Sequence, residues 1–222
     1  EEEADALKRL WPDSSIARYW ATYAIADVRE PRSIAAEWRE VARMRPDDAR
    51  VWNNLGTALH AAEDLEGALA AHRRALELRP DYARCLYNFG NALRSAKRLD
   101  EAEQAYRRAI ELAPKDPLAH ANLGTLLADR GRLAEAAEVH RAALALQPEN
   151  PRELSNLGHV LRRLDQLDEA QRVLERSVAL HPRPAALVNL GLVLRDRGLH
   201  AEALSTFDRA AALDDCGYSV QR

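Results

Sequence analysis

Asparagine returns at one place in five similar frames of this 222-residue sequence. Asn54 stands in "WNNLGTAL", Asn88 in "YNFGNAL", Asn122 in "ANLGTLL", Asn156 in "SNLGHVL" and Asn189 in "VNLGLVL". The apolar residue and the glycine that follow it have a packing use; the amide has none. An amide carries two donor hydrogens and an acceptor oxygen, enough to pair with the C=O and N–H of a passing peptide backbone. Packed helices lie about 8–10 Å apart and an extended chain advances about 3.3 Å per residue. One asparagine would therefore hold the backbone at roughly every third to sixth ligand residue. Such a ladder reads backbone and suits an extended peptide or protein segment.

Specificity then falls to neighbours on the same helices. These are Arg50, Asn53, Thr57 and His60 beside the first asparagine, and Arg84, Tyr87, Asn91, Arg94 and Ser95 beside the second. Thr125 and Asp129 flank the third, Arg152, Ser155, His159, Arg162 and Arg163 the fourth, and Arg195 and Asp196 the fifth. Seven arginines face two aspartates there, in a chain of net charge −3. A positive face on an acidic body favours acidic segments or a terminal carboxylate and speeds their association at low salt. The candidate peptide-binding residues are thus the five asparagines with Arg50, Arg84, Arg152, Tyr87, Asn91, Arg94, His159 and Arg163.

Other chemistry finds no motif. There is no Gly-rich phosphate loop, G-x-S-x-G, H-E-x-x-H or paired C-x-x-C. Neither enzyme activity nor a cofactor or metal is expected. His72 and His140 occupy the apolar slot held by Tyr106 and Phe207 in other copies, which makes them core residues. Acidic pairs such as Asp100/Glu101 and Asp168/Glu169 begin helices, where carboxylates suit the helix dipole. Tyr87 is the main aromatic for base stacking on an otherwise non-aromatic face, so nucleic acid is not expected as a partner. No apolar run approaches the length of a membrane span. Cys85 and Cys216 form no disulfide framework and fit a reducing, cytoplasmic compartment.

What positions the asparagines is a repeat. Pro12, Pro46, Pro80, Pro114, Pro148 and Pro182 are 34 residues apart. Gly56, Gly90, Gly124 and Gly158 keep that period, and Gly191 comes one residue early because the loop after Pro182 is shorter. Ala68, Ala102, Ala136, Ala170 and Ala203 follow each glycine by 12. Trp52, Leu55, Gly56 and Leu59 fall at i, i+3, i+4 and i+7, one face of a first helix. Pro117, Pro151 and Pro184 open that helix in later copies, where a missing N–H costs nothing. Ala68, His72, Ala75 and Leu76 mark a second helix, which the periodic prolines end. The Gly and Ala are expected to meet where the two helices cross, small against small.

The period, the Leu-Gly pair and segments such as "AEDLEGALAAHRRALELRPD" and "AKRLDEAEQAYRRAIELAPKD" resemble the tetratricopeptide repeat. The resemblance implies an all-α fold, a right-handed α-solenoid of stacked antiparallel helix pairs whose first helices line a concave groove. Full repeats are expected at 49–82, 83–116, 117–150, 151–183 and 184–215, with a tail at 216–222. A degenerate repeat is expected at 15–48, in which Ala21 and Thr22 replace Leu-Gly while Trp20 and Tyr23 fill the space. Residues 1–14 are expected to be the second helix of an incomplete repeat, as in an excerpt of a longer protein. The ladder is similar to that of O-linked N-acetylglucosamine transferases. The two-carboxylate clamp of chaperone-binding members is matched at Arg84, Asn88, Asn122 and Arg152, but Asn156 stands where its last basic residue belongs. The resemblance implies a non-catalytic protein-interaction scaffold. The alternatives are the substrate-recruiting region of a larger enzyme, such as a protein O-glycosyltransferase, and a scaffold that self-assembles through its end repeats.

Overall fold

The computed structural model describes residues 5, 6, 14–24 and 30–220, with side chains to residue 213. Apart from Asp5 and Ala6, the expected helix at 1–14 lies outside the described residues, as do positions 221 and 222 of the expected tail. Among the described residues helices pair in sequence and no strand occurs. Helix α1 (Ser15–Ala24) pairs with α2 (Pro31–Met44), α3 (Ala49–Ala61) with α4 (Leu65–Leu78), and α5 (Ala83–Ser95) with α6 (Leu99–Leu112). These fall in one compact unit, Glu1–Pro114. A second unit, Lys115–Arg222, contains α7 (Pro117–Asp129) with α8 (Leu133–Leu146), α9 (Pro151–Arg163) with α10 (Leu167–Leu180), and α11 (Pro184–Asp196) with α12 (His200–Val220). Each unit is a run of an all-α solenoid. Helix α12 passes position 216, where the tail was expected to begin.

The helix ends follow from local chemistry. Asp48, Asp116 and Asn150 cap α3, α7 and α9 by accepting backbone N–H bonds from Arg50, Leu118 and Arg152 at 3.0–3.1 Å. Pro117, Pro151 and Pro184 open their helices as expected. Residues Arg45, Arg79, Ala113, Gln147 and His181, each just before a periodic proline, leave the helical region with φ between −134° and −156°. The turn inside each of the five later pairs needs one left-handed residue: Glu63, Lys97, Gly131, Asp165 and Gly198 all have φ of 60–79°.

The repeated glycine packs differently from the small-against-small expectation. A Cβ on Gly56 would stand 2.7 Å from the His72 ring. On Gly90, Gly124, Gly158 and Gly191 it would meet Tyr106, His140, Leu174 and Phe207 at 2.4–2.6 Å. The glycine thus makes room for the bulky residue of the second helix, while Ala68, Ala102, Ala136 and Ala170 are separately buried. Five costs of about 1 kcal/mol for helical glycine are offset by five filled slots.

Buried His72 fills the first slot, with Nδ1 3.7 Å from the Cys85 thiol and Nε2 without a hydrogen-bond partner. Burial, helped by nearby His60, pulls its pKa down to about 4. Burial pushes the Cys85 thiol up to about 12, so it stays protonated. Between pH 6.5 and about 4 the unfolded chain takes up a proton that the folded His72 refuses, and stability falls as the pH drops through that window. His72→Tyr places there the residue that Tyr106 supplies one repeat on. The expected result is a variant spared about 2 kcal/mol of the loss that urea melts record for the wild type between pH 7 and pH 5.

The degenerate repeat corrects one expectation. Ala21 and Thr22 are fully buried, but Trp20 and Tyr23 are 58% and 54% exposed and fill no core space. Tyr19 does that work, meeting Trp38 edge to face at 5.2 Å.

Candidate functional site

First helices of consecutive repeats touch one another: α3 packs on α5, α7 on α9, and α9 on α11. The five asparagines lie on these first helices and all are half-buried. Two of them clip repeats together. Asn88 Nδ2 on α5 donates to Asn53 Oδ1 at 3.0 Å and to Thr57 Oγ1 at 3.3 Å, both on α3. Asn189 Nδ2 on α11 donates to Ser155 Oγ on α9 at 3.2 Å. The acceptor in both cases includes the residue just before the preceding asparagine. Before Asn122 that residue is Ala121, which has no side-chain acceptor, and the Asn156 amide has no hydrogen-bond partner among the described residues. Asn54 Oδ1 accepts only a long bond, 3.4 Å, from Asn53.

These bonds orient the ladder. With its Nδ2 fixed, Asn88 presents Oδ1 as an acceptor, whereas Asn54 presents Nδ2 as a donor. A peptide backbone needs both kinds of group. The sequence pattern pointed to the ladder, but the part played by Asn53, Thr57 and Ser155 as clips went unread. The polar residue before the asparagine, present in these two copies, was the signal.

The arginines divide into two groups. Arg50 pairs with Asp48 at 3.2 Å, Arg162 with Asp196 at 2.8 Å and Arg195 with the same aspartate at 2.7 Å. These contacts hold the Asp48 and Asp196 carboxyls below the usual carboxylate range, although for Asp48 burial, the largest influence, pushes the other way. Arg163 donates to the Ala128 carbonyl oxygen at 2.8 Å. Arg84, Arg94 and Arg152 meet no carboxylate among the described residues either, so the unneutralised charge sits with them and Arg163.

Three further candidates are drawn into the protein. The Asn91 oxygen accepts the Tyr106 hydroxyl at 2.7 Å. The Tyr87 ring lies 6.3 Å from the Tyr106 ring. His159, half-buried, is pulled below its ordinary pKa by burial and by Arg163 and Arg162, against a hydrogen bond with Asn189. No group of three or more metal-ligating side chains is gathered among the described residues, and no helix there is long and apolar enough to cross a membrane.

Comparisons agree with this architecture. A Pseudomonas aeruginosa protein, PilF, superposes with a TM-score of 0.76 at 19% identity, over 94% of this chain and 97% of its own. MamA from Desulfovibrio magneticus RS-1, from its residue 41 on, gives 0.70 at 21% identity, over 76% and 96%. YrrB, described as a TPR protein with an unusual peptide-binding site, gives 0.66 at 24% identity, over 78% and 90%. Likeness at these identities shows the fold alone. Among curated proteins none matches the chain. Family models described as tetratricopeptide repeat match residues 47–115, and 87–151 with 155–215. With the period in the sequence, the helix pairs in both units and these matches over most of its length, the chain belongs to the tetratricopeptide-repeat family.

Proposed function

We propose that this chain is a non-catalytic module that holds an extended, acidic peptide segment along the face of its first helices. Membership of the repeat family, a family of protein-interaction scaffolds, supports the coarser part of that reading. The peptide-binding site ascribed to YrrB gives a precedent on the same fold. One observation carries the finer part: in each unit the first helices carry an amide fixed by a bond to its neighbour, Asn88 or Asn189, together with arginines that meet no carboxylate. Ladder amides hold the ligand backbone, and Arg84, Arg94 and Arg152 attract its acidic side chains. Steering by those charges is salt-dependent.

The test is binding to an array of terminally blocked, extended acidic peptides at two salt concentrations. Asn156→Ala is expected to weaken binding about fivefold by removing one hydrogen bond, and to leave thermal stability unchanged because Asn156 holds no other residue. Asn88→Ala is expected to lower stability by about 1 kcal/mol as well, since it unclips α5 from α3. Undiminished binding by Asn156→Ala, together with binding indifferent to salt, would move the site off this face.

A further inference from the structure

The first unit has a cavity of about 380 Å³ between its degenerate repeat and its first full ones. Its wall is two-sided. Tyr23 of α1 and Ile34 and Trp38 of α2 supply apolar surface; Asn54 of α3 with Asn88 and Arg84 of α5 supply the polar rim. The volume is at the small end of ligand pockets, about 300–1,000 Å³, which suits one large side chain with its neighbouring peptide groups.

The chemistry of the wall specifies an occupant. Asn54 offers a donor and Asn88 an acceptor, the pair a peptide unit requires. Arg84 meets no carboxylate among the described residues and stands at the polar rim. Apolar wall and rim charge lie in one cavity, so a ligand that serves both must carry an apolar side chain next to an acidic one. Aromatic rings suit that wall, because the exposed ring of Tyr23 lines the cavity and can take an edge-to-face partner.

We infer that this cavity is the specificity pocket of the module: it seats an aromatic side chain of an extended peptide while Arg84 binds the side-chain carboxylate of an adjacent acidic residue. The inference deepens the peptide-binding reading and rests on it. It gives the backbone-reading ladder a fixed register, since the aromatic residue can sit only where the cavity is.

The experiment uses fluorescence anisotropy with three terminally blocked acidic peptides. They are identical except for one step: Phe–Glu, Ala–Glu or Phe–Gln. The whole chain is compared with Ala61→Phe, which fills the cavity from an exposed position at the end of α3, and with Arg84→Gln. Wild type is expected to bind the Phe–Glu peptide about tenfold more tightly than the Ala–Glu peptide. Ala61→Phe is expected to abolish that preference and keep the wild-type melting temperature. Arg84→Gln is expected to remove the difference between Phe–Glu and Phe–Gln. Equal binding of all three peptides by wild type, or binding of none, overturns the pocket. If Ala–Glu binding still responds to Asn156→Ala while Phe gives no advantage, the pocket alone falls. If the Phe preference holds while Asn156→Ala and salt have no effect, the ladder reading falls and the pocket stands.

Discussion

Glu153→Leu is expected to cost about 3 kcal/mol of stability, and adding His140→Leu to return most of it. Glu153 opens α9 and His140 lies in α8; Nδ1 and Oε1 are 2.5 Å apart, with side-chain exposures of 1% and 4%. A polar pair this deep has given up its water and depends on each member for the other's hydrogen bonds. Removing the carboxylate strands the imidazole, which cannot move aside because Gly124 lies directly under its ring. One repeat on, where the loop is one residue shorter, the same two positions hold Leu174 and Ala186, both buried. The double variant therefore makes apolar an address that is already apolar one repeat on. Denaturant midpoints of wild type, both single variants and the double variant complete the cycle. A Glu153→Leu variant as stable as wild type would show that the pair contributes nothing.

The second large effect falls on the other side of the same ring. Gly124→Leu is expected to destabilise by about 3 kcal/mol, a fall of about 6–12 °C in Tm. A single Cβ at this position would already stand 2.6 Å from His140. The three further carbons of leucine require the ring, and with it the bond to Glu153, to shift. Gly131→Ala is the control: a Cβ added there would meet nothing within 4 Å, so only its φ of 77° is strained. If differential scanning calorimetry found the two substitutions equally mild, the slot account of the repeated glycine would be wrong.

The helix pairs were legible because their signals are local. Prolines at a 34-residue interval, caps such as Asp48 and Asn150, and i, i+3, i+4, i+7 apolar spacing each act within one turn or one loop. The face carrying the asparagines followed from the same periodicity. What their amides touch did not, because Asn88 and Asn189 bond to residues 31–35 positions earlier, and the outcome depends on a neighbour's side chain. The excess of arginine was also overstated by reading the face alone: Asp48, at the mouth of α3, neutralises Arg50. Trp20 was misread by its size. It stands 34 positions before Asn54, in the register that points out of the core, and Tyr19 stands in the inward register of Asn53. Register outweighs residue type there. The cavity beside Trp38 needs four helices to form, so no stretch of sequence displays it.

The slot beneath each glycine has a consequence for how such a chain can change. One structural address carries imidazole with thiol in one repeat, imidazole with carboxylate in another and an isobutyl with a methyl group in a third. All are sealed from the surface that displays the asparagines and arginines. A lineage can thereby harden or soften one joint of the stack, or set the acidity at which it opens, while the residues displayed on that surface stay letter for letter the same.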